Sequence, residues 1–282
     1  MTIKQAIERG VAILKLEKIS TPKLKSRLLM QYVLNKPRQY LVIYDNTLLP
    51  KEKEEKFLKY IEDLKKGVPI EHITHQKEFM KLNFFVDENV LIPRQDTEIL
   101  VEQVINLSKK VRGQRILDLC TGSGAIAVSL AKYIQKSNIT AVDISKKAIE
   151  IAELNAKNNE VEDQITFITS NLFEKVLKEK YDIVVSNPPY IKKDIIKNLD
   201  KEVQKEPLIA LDGGNDGLDF YRKIIDKAYE YLKYGGYLCL EIGYDQKEDV
   251  MNLIKEYNQY TNTYCVKDLY DNDRVIITKV GD

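Results

Sequence analysis

The chain has 282 residues, 44% of them hydrophobic and 31% charged, a balance that suits a globular protein of one large or two smaller domains. Lys+Arg total 44 and Asp+Glu 43, so the net charge of +1 excludes a protein that relies on general attraction to phosphate backbones. The three cysteines (Cys120, Cys239, Cys265) have no metal-ligand spacing and read as reduced thiols of a cytoplasmic protein; no signal core opens the chain and no run approaches the ~18 apolar residues of a membrane span.

Residues 3–17 place Ile3, Ile7, Val11 and Leu14 at helical spacing. Thr21-Pro22 is a cap-plus-first-turn signature that opens a second helix, with Leu24, Leu28, Tyr32 and Val33 on one side. Pro50 opens a third, with Phe57, Leu58, Ile61 and Leu64 inward, the charge run 51–56 as its solvated face and Gly67 as the stop. This helical bundle, with the segment up to residue 77, holds no residues suited to chemistry. From Glu78 to Ile92 the pattern turns to Phe79, Leu82, Phe84, Phe85, Val86 and then Val90, Leu91 and Ile92, a β-hairpin with Asp87-Glu88-Asn89 as its turn. Pro93-Arg94 then leads into a helix capped by Asp96 or Thr97, with Glu98 in its first turn. Arg94 either faces a site or braces Glu98, and bracing is the expectation. The chain thus divides into 1–77, a linking hairpin at 78–95 and a larger domain at 96–282.

Beyond residue 110, apolar runs at 115–119, 138–142, 165–169, 181–185, 236–242, 263–267 and 274–278 read as strands. They alternate with helical periodicity at 124–134, 145–157, 217–233 and 246–257. Such alternation means an α/β fold, a parallel sheet with helices on both faces, whose ligands bind beyond the carboxyl ends of the strands. The loops there form a set. The first strand ends in Asp118-Leu119-Cys120-Thr121-Gly122-Ser123-Gly124, and the second in Val142-Asp143. Glycines let a ligand approach the backbone, the following helix offers N–H groups, and an acid after the second strand suits two ribose hydroxyls. Gly122-x-Gly124-x-x-Ala127 also satisfies a dinucleotide pattern. Against a nicotinamide enzyme stand Asp118, which favours a cationic group over a pyrophosphate, and a fourth loop without a proton donor. Ser170-Asn171-Leu172-Phe173 after the third strand could offer amide hydrogen bonds and an apolar wall to an adenine.

The fourth loop is Ser186-Asn187-Pro188-Pro189-Tyr190. Two prolines remove two donors and fix two φ angles, so the loop is stiff and its carbonyls lack strand partners. A planar substrate with an NH2 group could give one N–H to the Asn187 oxygen and the other to the Pro188 carbonyl, with Tyr190 stacked on it. A plain turn with Tyr190 as core is the competing account of the tetrapeptide taken alone.

With Asp118…Gly122-Ser-Gly124 and Asp143, this loop resembles the class I S-adenosylmethionine-dependent methyltransferases that act on exocyclic or amide nitrogen. More closely, the whole chain resembles the release factor glutamine methyltransferase family (HemK/PrmC). The resemblance rests on Gly67-Val-Pro-Ile-Glu-His-Ile-Thr74, Glu78-Phe79, Leu91-Ile-Pro-Arg-Gln-Asp-Thr-Glu98, Asn187-Pro-Pro-Tyr190, Glu206-Pro-Leu-Ile-Ala-Leu211 and Asp273-Arg274-Val275. It implies a helical N-terminal domain that recognises the release factor, a hairpin, and a Rossmann-like seven-stranded methyltransferase domain with an antiparallel last strand. It further implies methyl transfer from S-adenosyl-L-methionine, yielding S-adenosyl-L-homocysteine, to the side-chain amide of the Gln in the Gly-Gly-Gln motif of class I peptide chain release factors. By position, Cys120, Thr121, Gly122, Ser123 and Gly124 would line the methionine part, Asp143 the ribose, and Asn171 and Leu172 the adenine. Asn187, Pro188, Pro189 and Tyr190 would hold the glutamine, Asn187 also bordering the cofactor. Three positions depart from the family pattern: Cys120 for a first glycine, Asn171 for a common Asp, and His75 for a glycine. Cys120 matters only if its φ is positive.

A monomer with a protein substrate, no metal, no direct nucleic-acid contact and no membrane is the expectation. A ribosomal-protein glutamine methyltransferase shares loop and chemistry, and differs in its N-terminal domain. A DNA adenine-N6 methyltransferase would need a base-flipping and recognition apparatus for which the chain has no room. A non-catalytic cofactor-binding module would not need Asn187 and Tyr190.

Overall fold

The computed structural model describes residues 1–110 and 114–281. It divides into two compact units, Met1–His75 with Asp200–Lys205, and Gln76–Leu199 with Glu206–Asp282.

The first unit is helical: α1 (Ile3–Leu16), α2 (Pro22–Leu34), α3 (Arg38–Ile43), α4 (Lys51–Lys65) and α5 (Ile70–Thr74). Helix α1 starts at a capping box in which Thr2 and Gln5 satisfy each other's backbone N–H. It buries Ile3, Ala6, Gly10 and Leu14. Phe57, Ile61 and Leu64 of α4 point inward as the spacing predicts, while α3 and α5 are too short for their periodicity to register.

The expected face of α2 holds only in part. Leu24 and Leu28 are exposed, whereas Val33 is buried as expected, together with Lys25, Ser26, Leu29 and Met30. Polar anchors turn it: Ser26 Oγ donates to the Ile7 carbonyl at 3.0 Å, Lys25 pairs with Glu202, and Gly10 leaves the space that Ser26 fills. Nor does Thr21 cap α2 with its side chain.

The second unit begins with a hairpin, β1 (Lys77–Phe79) and β2 (Leu82–Phe84). Its turn is Met80-Lys81, both in the left-handed region (φ 49° and 58°), the backbone that a tight two-residue hairpin demands. The hairpin is therefore shorter than predicted, and Asp87-Glu88-Asn89 is a later bend where Asp87 Oδ1 accepts from Asn89 N at 2.8 Å. Phe79 and Phe84 pack edge to face at 6.0 Å.

The strands β3 (Arg115–Leu119), β4 (Asn138–Asp143), β5 (Ile165–Thr169), β6 (Tyr181–Ser186), β7 (Leu232–Glu241), β8 (Tyr260–Lys267) and β9 (Asp273–Val280) form one sheet ordered β5-β4-β3-β6-β7-β9-β8. The pairs from β5 to β7 are parallel, and β9 is antiparallel to both its neighbours. Alternate side chains feed two cores. Ile116, Ile139, Ile183 and Val185 pack with α6 (Thr97–Ser108), α7 (Ala125–Tyr133) and α8 (Lys146–Asn158). Leu117, Val142, Val184 and Leu238 pack with α9 (Asp219–Tyr231) and α10 (Lys247–Lys255). Strand order reverses between β3 and β6, so their carboxyl ends open a crevice. No helix among the described residues is long and apolar enough to cross a membrane, and no group of three His, Cys, Asp or Glu there could hold a metal ion.

Candidate active site

A cavity of about 340 Å³ lies at that crevice. Of the predicted residues, Cys120, Gly122, Asp143, Asn171, Leu172, Asn187 and Pro189 line it. Four loops separated widely in sequence thus border one cavity.

The turn after β3 is held by backbone conformation. Cys120, Gly122 and Gly124 all have positive φ, 60°, 55° and 78°. Cys120 therefore occupies a backbone that disfavours any side chain with a Cβ, by roughly 1–2 kcal/mol. The two glycines serve different ends. A Cβ on Gly122 would meet nothing within 4 Å, whereas one on Gly124 would lie 2.9 Å from the Ala152 Cβ. Gly122 leaves the cavity open, and Gly124 lets α7 approach α8. Thr121, Ser123 and Gly124 stand off the cavity wall. Thr121 Oγ donates to Asp118 Oδ2 at 2.6 Å instead. Asp118 is fully buried on the sheet, its Oδ1 without a hydrogen-bond partner, and desolvation pushes its carboxyl up to about 7. It does not line the cavity either, so its direct attraction for a cationic ligand, expected from its place before the loop, is replaced by support of the turn from behind.

Asp143 ends β4. Its Oδ2 accepts from Gly122 N and its Oδ1 from Ser145 N, both at 2.9 Å, and burial raises its carboxyl above the ordinary range. Each oxygen keeps a lone pair for a ligand hydroxyl. After β5, Leu172 is a second non-glycine residue in left-handed backbone (φ 48°), which presents it to the wall. Asn171 Nδ2 donates to Glu174 at 2.6 Å.

The loop after β6 is held by side chains. Ser186 Oγ donates to the Leu119 carbonyl at 2.7 Å, tying β6 to β3. Asn187 and Pro189 reach the cavity; Pro188 is buried and Tyr190 packs against the core beside α9 and α10, both off the wall. Gln246 clamps the back of the loop. Its Nε2 donates to the carbonyls of Tyr190 (3.0 Å) and Gly217 (3.2 Å), and its Oε1 accepts from Gly243 N (3.0 Å) and the Tyr221 hydroxyl (3.4 Å). The carboxamide is fully satisfied although only 3% exposed. A Cβ on Gly217 would lie 2.5 Å from the Tyr190 carbonyl oxygen, so that contact requires glycine.

Arg94 does not brace Glu98. It pairs with Glu206, whose second oxygen accepts from Ile92 N at 3.1 Å, while Glu98 accepts from Met80 N at 2.6 Å. Nor does the Asp96 side chain cap α6. Thr97 Oγ1 instead accepts from Asn187 Nδ2 at 3.2 Å. Asn89, Val90, Leu91, Ile209, Phe220 and Lys223 also line the cavity, and sequence reasoning missed them. Val90, Leu91, Ile209 and Phe220 carry no mark beyond apolar character, and Asn89 and Lys223 read as ordinary turn and helix-surface residues. Glu241, an acid closing an apolar strand, was a legible oddity that went unread.

Residues 94–205 match the methyltransferase small domain family and residues 5–74 the PrmC N-terminal domain family. The chain is 39% identical to a release factor glutamine methyltransferase of Clostridium acetobutylicum, over 100% of this chain and 99% of that one. It is 40% identical to one of Buchnera aphidicola, over 100% of both. Among solved structures, a ribosomal protein L11 methylase from Lactobacillus delbrueckii subsp. bulgaricus matches with TM-score 0.50 and 20% identity, over 70% of this chain and 84% of that one. A methyltransferase from Pyrococcus furiosus matches with TM-score 0.51 and 21% identity, over 71% and 90%. At such identities the structures speak for the fold alone, and the full-length relatives for the family. This chain belongs to the release factor glutamine methyltransferase family.

Proposed function

We propose that this protein transfers a methyl group from S-adenosylmethionine to the side-chain amide nitrogen of the Gly-Gly-Gln glutamine in class I peptide chain release factors. The observation that carries this reading is the meeting of Asn187 with Gly122 and Asp143 on a single cavity. The cavity fits the cofactor: an open glycine, an acid with free lone pairs, and apolar walls from Val142, Leu172 and Phe220. Cys120 and Gly122 would border the methionine part, with Thr121, Ser123 and Gly124 shaping the turn behind them, Asp143 would hold the ribose, and Asn171 and Leu172 the adenine. When bound, the cofactor supplies an electrophilic methyl on a sulfonium.

An amide nitrogen is a poor nucleophile because its lone pair is delocalised into the carbonyl. Asp143 and Lys223 are the only charged side chains on the wall among the described residues, and Asp143 already accepts two backbone hydrogen bonds. Positioning therefore supplies most of the rate, and well-oriented reactants can gain ~7–11 kcal/mol. Asn187 Oδ1 would accept from the amide N–H, fix the nitrogen and stabilise the positive charge that builds on it, with Pro188, off the wall, stiffening the ledge beside it. The proton leaves afterwards. Pro189 would wall the same ledge, and Tyr190 would stiffen it from the core side. The protein acts as a cytoplasmic monomer on a protein rather than a nucleic acid, in keeping with its near-zero net charge.

Incubation of the full chain with S-adenosylmethionine and purified release factor, followed by mass spectrometry, tests the reading. One added methyl on the Gly-Gly-Gln glutamine is expected. An unmodified release factor overturns it.

A further inference from the structure

A carboxamide is nearly symmetric in shape, yet its two ends are opposite in function. Turned one way, Asn187 offers the cavity an acceptor; turned the other, it offers two more N–H groups to a substrate that already carries two. Something outside the cavity must choose. The register of the sheet brings the candidates together: Ser186 pairs with Leu240, so Asn187 and Glu241 are the next residues along their parallel strands. Thr97, the first residue of α6, lies against both. Asn187 Nδ2 donates to Thr97 Oγ1 at 3.2 Å, and both side chains lie close enough to the Glu241 carboxylate to favour its charged form, while Glu241 Oε2 is buried without a hydrogen-bond partner.

Glu241 and Thr97 are 1% and 4% exposed, too buried to serve a surface role. An ionised carboxylate only accepts, so it draws the Thr97 O–H and an Asn187 N–H toward itself. With its hydroxyl proton so engaged, Thr97 Oγ1 has lone pairs left for Asn187. Resting on the functional reading above, we propose that Thr97 and Glu241 are positioning residues that lock the Asn187 carboxamide with its oxygen toward the substrate amide. Neither residue touches the reacting atoms.

Protonation of Glu241 would loosen the lock, because a carboxylic acid can donate to the Asn187 oxygen and favour the reversed amide. Burial holds this carboxyl near 7; Thr97, Arg274 of β9 and Asn187 pull it down, and Asp96 pushes it up. Tyr190 from the loop after β6 and Tyr221 of α9 also face it. Activity should therefore fall as pH drops below about 7. Asp118 titrates near 7 as well, but it remains in every variant compared, so a difference between pH profiles belongs to Glu241.

The test uses the full chain with purified release factor and S-adenosylmethionine, reading kcat, KM, the calorimetric Kd for S-adenosylhomocysteine, and kcat against pH. Glu241→Gln is expected to lose about 10²-fold in kcat, the scale of a small misplacement at the reacting centre. Its cofactor affinity should stay within about threefold, and its profile should be flat where the wild type rises. Thr97→Val is expected to lose kcat to a similar degree, and Thr97→Ser, which keeps the hydroxyl, to recover most of it. Equal kcat for the Val and Ser variants overturns the proposal, as does a Glu241→Gln protein with wild-type kcat and pH profile. Should Glu241→Gln fail to fold, the Thr97 pair decides alone. A wild-type enzyme that leaves the release factor unmethylated instead overturns the functional reading, and this assignment falls with it.

Discussion

The turn after β3 and the ledge after β6 end adjacent parallel strands and border the same cavity, yet they are made rigid by opposite means. The first is set by its own backbone, with positive φ at Cys120, Gly122 and Gly124. The second has no such residue; prolines restrict it and distant side chains hold it, with Gln246 behind Tyr190 and Thr97 beside Asn187. A backbone turn can open close room for a ligand. A ledge that must aim one oxygen needs an external reference, because a proline ring fixes φ but cannot orient a neighbouring carboxamide.

Substitutions on each side can break this contrast. The largest effect is expected at Asn187→Ala, which removes the proposed acceptor: turnover should fall by about 10²–10³-fold while calorimetry finds cofactor binding retained. A near-normal single-turnover rate would refute the role. Gln246→Ala strands buried partners at Tyr190, Gly217 and Gly243 at once, and denaturant unfolding should show a loss of about 2–4 kcal/mol. Turnover should drop with it, since the back of the ledge is released.

The pH dependence of stability is the next sharpening. Asp118 and Glu241 are both raised to about 7, well above the values carboxylates have in an unfolded chain. Between about pH 4 and 7 the native state binds more protons than the unfolded one, so stability falls as pH rises through that window and levels off above it. Asp118→Asn should flatten the slope by up to about 1.4 kcal/mol per pH unit, leaving the Glu241 share intact. Urea midpoints at a series of pH values read this directly, and an unchanged slope would mean that Asp118 is not protonated near neutrality. The smallest effect belongs to Cys120→Gly. Relief of the left-handed strain and the greater freedom of glycine in the unfolded chain oppose each other, so the melting temperature should move by less than about 1 kcal/mol equivalent. A large loss would show that the Cys120 side chain packs in a way its φ does not suggest.

Most of the architecture is legible from the residues, because buried parallel strands and amphipathic helices leave strong periodic marks. The misreadings have physical causes. Helix α2 was assigned its apolar face, but Ser26 and Lys25 have buried partners and rotate it. Turn chemistry is strong in Asp87-Glu88-Asn89, whereas the hairpin turns at Met80-Lys81, in left-handed backbone between the paired Phe79 and Leu82. The expected partner of Arg94 is Glu98, four residues on, whereas its partner in the fold is Glu206.

The linear chain determined by itself which loops crown the sheet, since strand–helix alternation and the residues closing each strand are local properties. Only the tertiary structure decided that Gly122 opens a cavity while Gly124 packs a helix, and which side chains lie within reach of Asn187. Thr97 and Asn187 are ninety residues apart, and they meet because α6 begins where β6 ends. The orientation of a carboxamide depends on neighbours in space, and no periodicity along the chain encodes them.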